Sequence, residues 1–447
     1  MQNYIIKNIQ VVNEGAISNA DLLIKNGRIE KIVSRITDYP SGYTEIDGTG
    51  KYLFPGCIDD QVHFREPGLT HKATIGTEAK AAVAGGVTSF MEMPNTVPNA
   101  LTQELLEDKY RIASRTSLAN YSFYMGVSNT NIEEVLKTNA KKKEVCGIKI
   151  FMGSSTGNML VDNPNTLDTI FRETELLITT HCEDENVIRR NLERVRTENR
   201  ELTPADHPLI RDDESCYESS LYAIQIAKKY NTRLHVFHLS TAREMQLFTN
   251  MLPRTEKRIT AEVCVHHLHF TSDDYARLGN RIKCNPAIKA PHNREALWEA
   301  LLDDRLDLIA TDHAPHTLAE KDVPYEEAHA GLPLVQHSLL LMLHYHKQGR
   351  ISLERIADKM SHAVADCFRI RDRGYIREGY HADLVIVDLN DSYTVSKENI
   401  LYKCGWSPLE GFTFPARVTH TFVNGRMVYG NGVWDESILG SRLEFES

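Results

Sequence analysis

The sequence predicts an α/β protein in which an eight-stranded (β/α)8 barrel is joined to a small β-sandwich. Residues 54–365 alternate eight short β-rich runs with helical stretches, which is the number of units that closes such a barrel. Residues 1–53 and 366–447 instead show strand patterns with Asn-Gly turns. The composition is 41% hydrophobic and 25% charged, which suits a globular protein with a sizeable core.

The two terminal segments are predicted to form one composite domain. DLLIKNGRIEKIV carries a hairpin signal at Asn26-Gly27, and VTHTFVNGRMVYG carries another at Asn424-Gly425. Each segment alone is too short to enclose a hydrophobic core. We therefore predict that residues 1–53 and 366–447 build one β-sandwich, with the TIM-type barrel of residues 54–365 inserted between them.

The barrel elements are predicted from β-rich runs and from helix start and stop signals. The eight strands are Gly56–Val62, Thr88–Met93, Tyr121–Val127, Cys146–Phe151, Leu176–His181, Arg233–His238, Ile259–Cys264 and Leu306–Ala310. The helices between them include Thr74–Ala84, Asn131–Ala140, Glu214–Tyr230 and Asn293–Leu302. The first helix is expected to end with a left-handed cap at Gly85-Gly86.

Six of these strands carry polar residues at or near their C-terminal ends, where barrel enzymes build their active sites. The last strand leads directly into Thr311, Asp312, His313 and His316. A buried strand that ends in several ionisable side chains is costly unless those side chains bind or react with something. This coincidence predicts a functional site at one end of the barrel.

Four of the strand-end residues have the chemistry of metal ligands. Imidazole and carboxylate groups bind borderline divalent ions such as zinc, and His63, His181, His238 and Asp312 supply them from four different strands. A single histidine at a strand end is more often a hydrogen-bonded structural residue. The four together favour a metal site.

Lys149 is unusual because it stands on an otherwise apolar strand. Burial disfavours the charged amine and should lower its pKa. Two interpretations stay open: the neutral amine adds carbon dioxide and becomes an anionic carbamate ligand, or the lysine pairs with an acid such as Glu183 or Asp184.

Four further histidines are predicted to lie outside the site. His313 should face away from Asp312 on a continuing strand. His266, His267 and His269 are predicted to alternate along a continuation of the seventh strand, with at most one face towards the site, and to be structural or to support the site from behind.

Charge and cysteine usage exclude several classes of function. The formal net charge of −10 argues against a nucleic-acid or anionic-membrane partner. There is no apolar run of about 18 residues and no signal-peptide pattern at the N-terminus. The eight cysteines contain no CxxC pair, which is typical of reduced core residues. We expect a cytoplasmic protein.

The motifs together resemble those of the amidohydrolases, and within them the dihydroorotases, over nearly the whole chain. The matching segments are QVHFREPG (61–68), MPNT (93–96), GIKIF (147–151), THCED (180–184), VFHLST (236–241), CNPAIK (284–289) and ATDHAPH (310–316). The resemblance implies zinc as the metal and an N6-carboxylated Lys149 that bridges two ions. It also implies ring closure of N-carbamoyl-L-aspartate to L-dihydroorotate in pyrimidine biosynthesis, and a homodimer.

The first motif departs from the family pattern. The family carries His-x-His, whereas this chain has Gln61-Val62-His63. An amide carbonyl is a poorer zinc ligand than imidazole. The ion held by His63 and Asp312 should be weak or absent, while Lys149, His181 and His238 keep a full set, so at least one zinc is predicted and the second stays open.

The expected mechanism uses a metal-activated water and Asp312 as general acid and base. Arg65, two residues after His63, is placed to bind the substrate α-carboxylate through a bidentate contact. By resemblance, Asn95 and His316 join it on the carboxylate and Asn285 contacts the ring.

Two other functions stay open. A cyclic amidohydrolase of the hydantoinase or allantoinase type would share the scaffold, but Arg65 argues against substrates that lack a carboxylate. A non-catalytic dihydroorotase-like partner of aspartate transcarbamoylase is kept open by Gln61, although a structural protein has no need for the full ligand set.

Overall fold

A computed structural model describes residues 2–39, 41–153, 159–198 and 200–446. The strands, in chain order, are β1 Asn3–Asn13, β2 Ala16–Lys25, β3 Arg28–Val33, β4 Tyr43–Asp47, β5 Tyr52–Pro55, β6 Cys57–Val62, β7 Val87–Glu92, β8 Asn120–Phe123, β9 Met125–Gly126, β10 Ile148–Phe151, β11 Ile178–His181, β12 Leu234–Val236, β13 Ile259–Cys264, β14 Leu308–Ala310, β15 Leu384–Asp388, β16 Tyr393–Thr394, β17 Thr413–Phe414, β18 Arg417–Val423, β19 Arg426–Gly430 and β20 Val433–Trp434.

The α-helices are α1 Ile75–Ala84, α2 Gln103–Thr116, α3 Ile132–Lys137, α4 Pro164–Glu173, α5 Glu185–Arg196, α6 His207–Ile210, α7 Asp213–Tyr230, α8 Val265–His269, α9 Tyr275–Leu278, α10 Pro291–Leu302, α11 Leu318–Lys321, α12 Ser338–Lys347, α13 Leu353–Ala357 and α14 Ala363–Phe368. Among the described residues, no helix is long and apolar enough to cross a membrane.

The barrel consists of parallel strands that lie in two hydrogen-bonded groups. One group has the order β6-β7-β8 and the other has the order β14-β13-β12-β11-β10-β9. The third predicted strand is split at Tyr124 into β8 and β9, and the His63 backbone N–H donates to His313 O at 2.7 Å to join the two groups. All eight predicted runs are therefore strands, and the predicted fold class is confirmed.

Helix α1 begins and ends where its sequence signals are. The Thr74 side chain accepts from Thr77 N, and Thr77 returns a bond to the Thr74 backbone, which forms a capping box. Only Gly86 takes the left-handed backbone expected after the helix (φ +86°), while Gly85 has an ordinary φ of −87°. Gly85 is needed for another reason, because a Cβ atom there would lie 2.4 Å from Gln336 O.

The prediction for His266, His267 and His269 is wrong in its secondary structure. The chain leaves β13 at Cys264 and turns directly into α8, so these histidines lie on a short helix rather than on a strand. His313 lies as predicted, with Nε2 2.8 Å from Glu78 Oε2 and Nδ1 accepting from Leu334 N.

Both chain termini contribute to one nine-stranded sheet. Its order is β20-β19-β18-β15-β5-β1-β2-β3, with β4 paired to β1, and β16 and β17 form a separate two-stranded ribbon. The hairpin turns at Asn26-Gly27 and Asn424-Gly425 have positive φ at both residues, as a two-residue hairpin loop requires. The junction is β5, which spans the predicted domain limit at residue 53 and pairs with β15 from the far end of the chain.

A buried polar cluster joins this sheet to the barrel. Asp383, which precedes β15, is 4% exposed and pairs with Arg373. Its carboxylate also accepts from the Asn424 backbone N–H at 2.7 Å and from Asn120 Nδ2, on barrel strand β8, at 3.2 Å. One carboxylate therefore holds together the sheet, the barrel and the segment that follows α14.

Replacing Asp383 by Ala should destabilise the protein strongly, because it leaves the buried Arg373 guanidinium without its counter-ion. The loss in free energy of unfolding should be about 3–5 kcal/mol, measured by urea titration. Asp372→Ala is the matched control, since Asp372 forms an exposed pair with Arg28 at 3.1 Å and should cost under about 1 kcal/mol. Equal losses in the two variants would contradict this assignment.

Candidate active site

A cavity of about 390 Å³ opens at the C-terminal ends of the barrel strands. Its wall includes nine of the ten residues predicted for the site, which are Gln61, His63, Arg65, Asn95, Lys149, His181, His238, Asn285 and Asp312. The tenth, His316, lies behind Arg65. A larger cavity of about 700 Å³ lies at the opposite ends of β13 and β14, where its charged residues are mostly engaged in ion pairs.

His181 and His238 present nitrogen atoms to each other. His181 Nε2 donates to Glu183 Oε2 at 2.9 Å, which leaves a lone pair on Nδ1. That atom lies 2.9 Å from His238 Nε2, and both side chains are buried. Burial lowers the pKa of His238 well below its usual value, which keeps its ring neutral. Two neutral imidazoles that converge in this way have the chemistry of metal ligands.

His63 and Asp312 form a second pair. His63 Nδ1 donates to Asn95 Oδ1 at 2.8 Å, so its Nε2 lone pair faces Asp312 Oδ1 at 3.1 Å. A lone pair against a carboxylate is unfavourable unless a proton or a cation lies between the two atoms. The geometry of this pair also fits a cation.

Lys149 is enclosed by aromatic rings. Its Nζ lies 4.2 Å from the ring centre of Phe237 and 4.7 Å from that of Phe151. Burial lowers the pKa of Lys149 to about 7, so a large share of the amines is uncharged at neutral pH.

The acids that could have paired with Lys149 are used elsewhere. Glu183 pairs with His181 and Arg211, and the Asp184 side chain caps α5 by accepting from Asn186 N and Val187 N. Neither of the two acids named from the sequence therefore pairs with Lys149.

Gln61 brings only an amide to the cavity. Its Oε1 accepts a long hydrogen bond of 3.5 Å from the Cys264 thiol. The side of the cavity with His63 and Asp312 therefore lacks an imidazole at residue 61, where an amide is the poorer zinc ligand.

A group of cations lies beside these metal donors. Arg65 is 3% exposed and donates through Nε to Pro315 O at 3.1 Å. Lys72 Nζ donates to His316 Nδ1 at 3.0 Å, and His316 Nε2 lies 2.9 Å from Ala330 O, so His316 packs between Arg65 and Lys72. Burial lowers the pKa of Arg65 to about 10, which still leaves it charged at neutral pH.

Three residues of the site have a left-handed backbone although none is glycine. Arg65, His238 and Asp312 have φ values of 70°, 40° and 48°. Such conformations cost about 1–3 kcal/mol each and persist where the surrounding structure holds them. All three side chains line the cavity, so the strained backbone occurs where a strand end presents a side chain to the site.

Sequence reasoning did not find Arg211 or the role of Glu183. Glu183 follows His181 by two residues, a spacing that could have suggested a carboxylate behind a metal-binding imidazole. Arg211 follows the short helix α6, and no sequence signal linked it to the barrel strands. Their pairing holds the Glu183 carboxylate charged and lowers its pKa to about 2 despite its burial.

Comparisons with known proteins show which family this chain belongs to. Residues 52–428 match the amidohydrolase family. A dihydroorotase of Listeria innocua is 32% identical over 96% of this chain and 99% of that protein, and one of Methanothermobacter thermautotrophicus is 30% identical over 94% and 91%. Among solved structures, an L-hydantoinase (dihydropyrimidinase) from Arthrobacter aurescens has a TM-score of 0.91 at 25% identity and covers 97% of this chain and 98% of that chain. A dihydropyrimidinase from Brevibacillus agri has a TM-score of 0.88 at 24% identity, with both chains fully covered.

Replacing Glu183 by Gln should weaken metal binding at His181 by about 10- to 100-fold, because the amide no longer fixes the ring orientation and basicity. Zinc affinity is measured by competition with a chromophoric chelator. Glu193→Gln, on the exposed side of α5, is the control and should leave the affinity unchanged. An unchanged affinity in Glu183→Gln would show that this carboxylate does not support a metal ligand.

Proposed function

Because this chain belongs to the amidohydrolase family, we propose that it is a zinc-dependent dihydroorotase that interconverts N-carbamoyl-L-aspartate and L-dihydroorotate. The observation that carries the proposal is the position of Arg65. Its buried guanidinium lines the same cavity as the metal donors, where a substrate with an acidic group would be held beside the reacting bond.

His181, His238 and Lys149 would hold one zinc ion, with His63 and Asp312 facing a second position. When bound, a divalent ion lowers the pKa of water towards neutrality and polarises a carbonyl oxygen. The Lys149 amine would join this set by forming an N–C bond to carbon dioxide and losing one proton. The product is an anionic carbamate, so a side chain that is cationic when protonated would become an anionic metal ligand.

Asp312 would move the proton. In ring opening, its carboxylate takes a proton from the attacking water and delivers it to the ring nitrogen as that nitrogen leaves. In ring closure, the same carboxylate receives the amide proton. Its contact with His63 at 3.1 Å holds it at the edge of the cavity.

Substrate orientation would come from the side of the cavity with Arg65. Arg65 would take the α-carboxylate through two parallel hydrogen bonds, with Asn95 and His316 beside it. His316 would act on this group mainly by fixing Arg65, given its position behind the guanidinium. Asn285, which is held by His207 at 3.1 Å, would contact the ring.

Two alternatives are tested by activity and metal content. A hydantoinase-type substrate has no group to match Arg65, so comparing ring opening of dihydroorotate with that of hydantoin and allantoin separates these functions. A non-catalytic partner of aspartate transcarbamoylase would show neither zinc bound by the cavity residues nor turnover. A homodimer and a cytoplasmic location remain predictions, and the first is checked by light scattering.

Arg65→Ala should lower kcat/KM for dihydroorotate by about 30- to several thousand-fold, because removing one partner of a buried charge pair costs about 2–5 kcal/mol. Any hydantoin activity should be unaffected. Arg115→Ala, at the surface end of α2, is the control for the loss of an arginine. Equal losses on both substrates would remove Arg65 from carboxylate recognition.

Gln61→His should strengthen the second metal position, because it restores an imidazole beside His63. Zinc per chain, measured by mass spectrometry after dialysis against a fixed free zinc concentration, should rise by about one equivalent. Gln10→His in β1, far from the cavity, should not change the count. If the unaltered chain already binds a zinc ion that His63→Asn releases, as tightly as the ion held by His181 and His238, Gln61 is an adequate ligand and this prediction is wrong.

A further inference from the structure

A second cluster of metal-ligating side chains lies inside the barrel and outside the cavity wall. Asp60 on β6, His235 on β12 and Glu262 on β13 are all fully buried, with 0% exposure. One nitrogen and two carboxylate oxygens of these residues lie within 4.8 Å of one another. Nothing in the proposed reaction uses them.

The three side chains present electron-donating atoms to one another. His235 Nδ1 lies 2.8 Å from Thr260 Oγ1, which accepts from it in the tautomer that leaves Nε2 free to bind an ion. In that tautomer the lone pair of His235 Nε2 faces Glu262 Oε2 at 3.1 Å and Asp60 Oδ2 at 3.5 Å. Either a cation or a proton held by one of these groups must then lie between the atoms.

Asp60 gives the strongest indication of a ligand. Neither of its carboxylate oxygens has a hydrogen-bond partner among the described residues, although both are buried. Leaving a charged carboxylate unpaired in the interior costs several kcal/mol, so native proteins pair it with a cation or protonate it. Lys149 lies near enough to act on both acids, but one amine supplies at most one positive charge against two carboxylates.

The spacing and charge both match a divalent ion. Bonds of about 2.0–2.2 Å in a tetrahedral site separate neighbouring ligand atoms by about 3.4 Å. The two measured separations, 3.1 and 3.5 Å, lie on either side of that value. Two carboxylates and a neutral imidazole carry a charge of −2, which a divalent ion balances completely.

We propose that Asp60, His235 and Glu262 form a separate metal site for a divalent ion such as zinc or manganese, buried in the barrel below the catalytic cavity. The ion would join β6, β12 and β13 at one point. Glu262 also accepts from the His238 backbone N–H at 3.1 Å, so the buried ion would help to hold a residue of the cavity wall in its left-handed conformation. This site goes beyond the proposed activity and does not depend on it.

The competing arrangement is a proton shared between Asp60 and Glu262. Burial raises the pKa of Glu262 to about 8 and raises that of Asp60 well above its usual value, so both acids can take a proton when no ion is bound. The experiment must therefore distinguish an ion from a proton at the same place.

The test begins with the double variant His63→Asn, His181→Asn. It removes one imidazole from each of the two pairs of metal donors at the cavity. After dialysis against zinc and then buffer, this variant should retain one ion per chain by mass spectrometry. Adding Asp60→Asn, or separately His235→Gln, should remove that ion. Asp59→Asn is the matched control, because Asp59 is an adjacent buried acid that bonds Thr311 instead of the cluster.

A second readout does not depend on counting ions. Adding zinc to the chelator-treated His63→Asn, His181→Asn chain should raise its melting temperature, and Asp60→Asn should abolish the rise. Two results would overturn the proposal. One is a double variant that retains no ion. The other is an infrared carbonyl band of a protonated carboxyl group that persists in the zinc-loaded protein and disappears with Asp60→Asn.

Discussion

The site depends on buried electron-donating atoms that face one another at the ends of the barrel strands. His181 Nδ1 points at His238 Nε2, and His63 Nε2 points at an Asp312 oxygen, each across about 3 Å. Each contact needs either a proton on one of the two atoms or a cation between them. A bound ion would replace that proton, and the proposed chemistry of the cavity follows from this exchange.

Holding those atoms in place involves residues at or beside the cavity that are not themselves metal donors. Glu183 and Arg211 fix the tautomer of His181, and Asn95 does the same for His63. A hydrogen bond at one ring nitrogen decides which lone pair is free at the other, so these partners matter as much as the ligands themselves. The left-handed backbone at Arg65, His238 and Asp312 is kept by the same surroundings.

Much of this could be predicted from the sequence because it depends on local pattern. Hydrophobic runs located all eight strands, Asn-Gly pairs located two hairpins, and polar residues at strand ends located the cavity wall. Three features could not be predicted, since each depends on contacts between distant elements. Arg211 reaches Glu183 from a loop, His316 turns behind Arg65, and the chain enters α8 after Cys264 despite an alternating pattern. The cluster around Asp60 was a further case, because His235 and Glu262 lie on strands β12 and β13, far along the chain from β6.

The pairing of β5 with β15 has a consequence for synthesis on the ribosome. β5 precedes the entire barrel and β15 follows it, so the central sheet strands cannot meet until nearly the whole chain has emerged. Until then β5 presents an open edge, which is the kind of surface that pairs with other chains. Nascent chains of this protein therefore expose this edge for a long time, during which binding by a chaperone competes with aggregation. The exposure ends when β15 has been translated and pairs with β5.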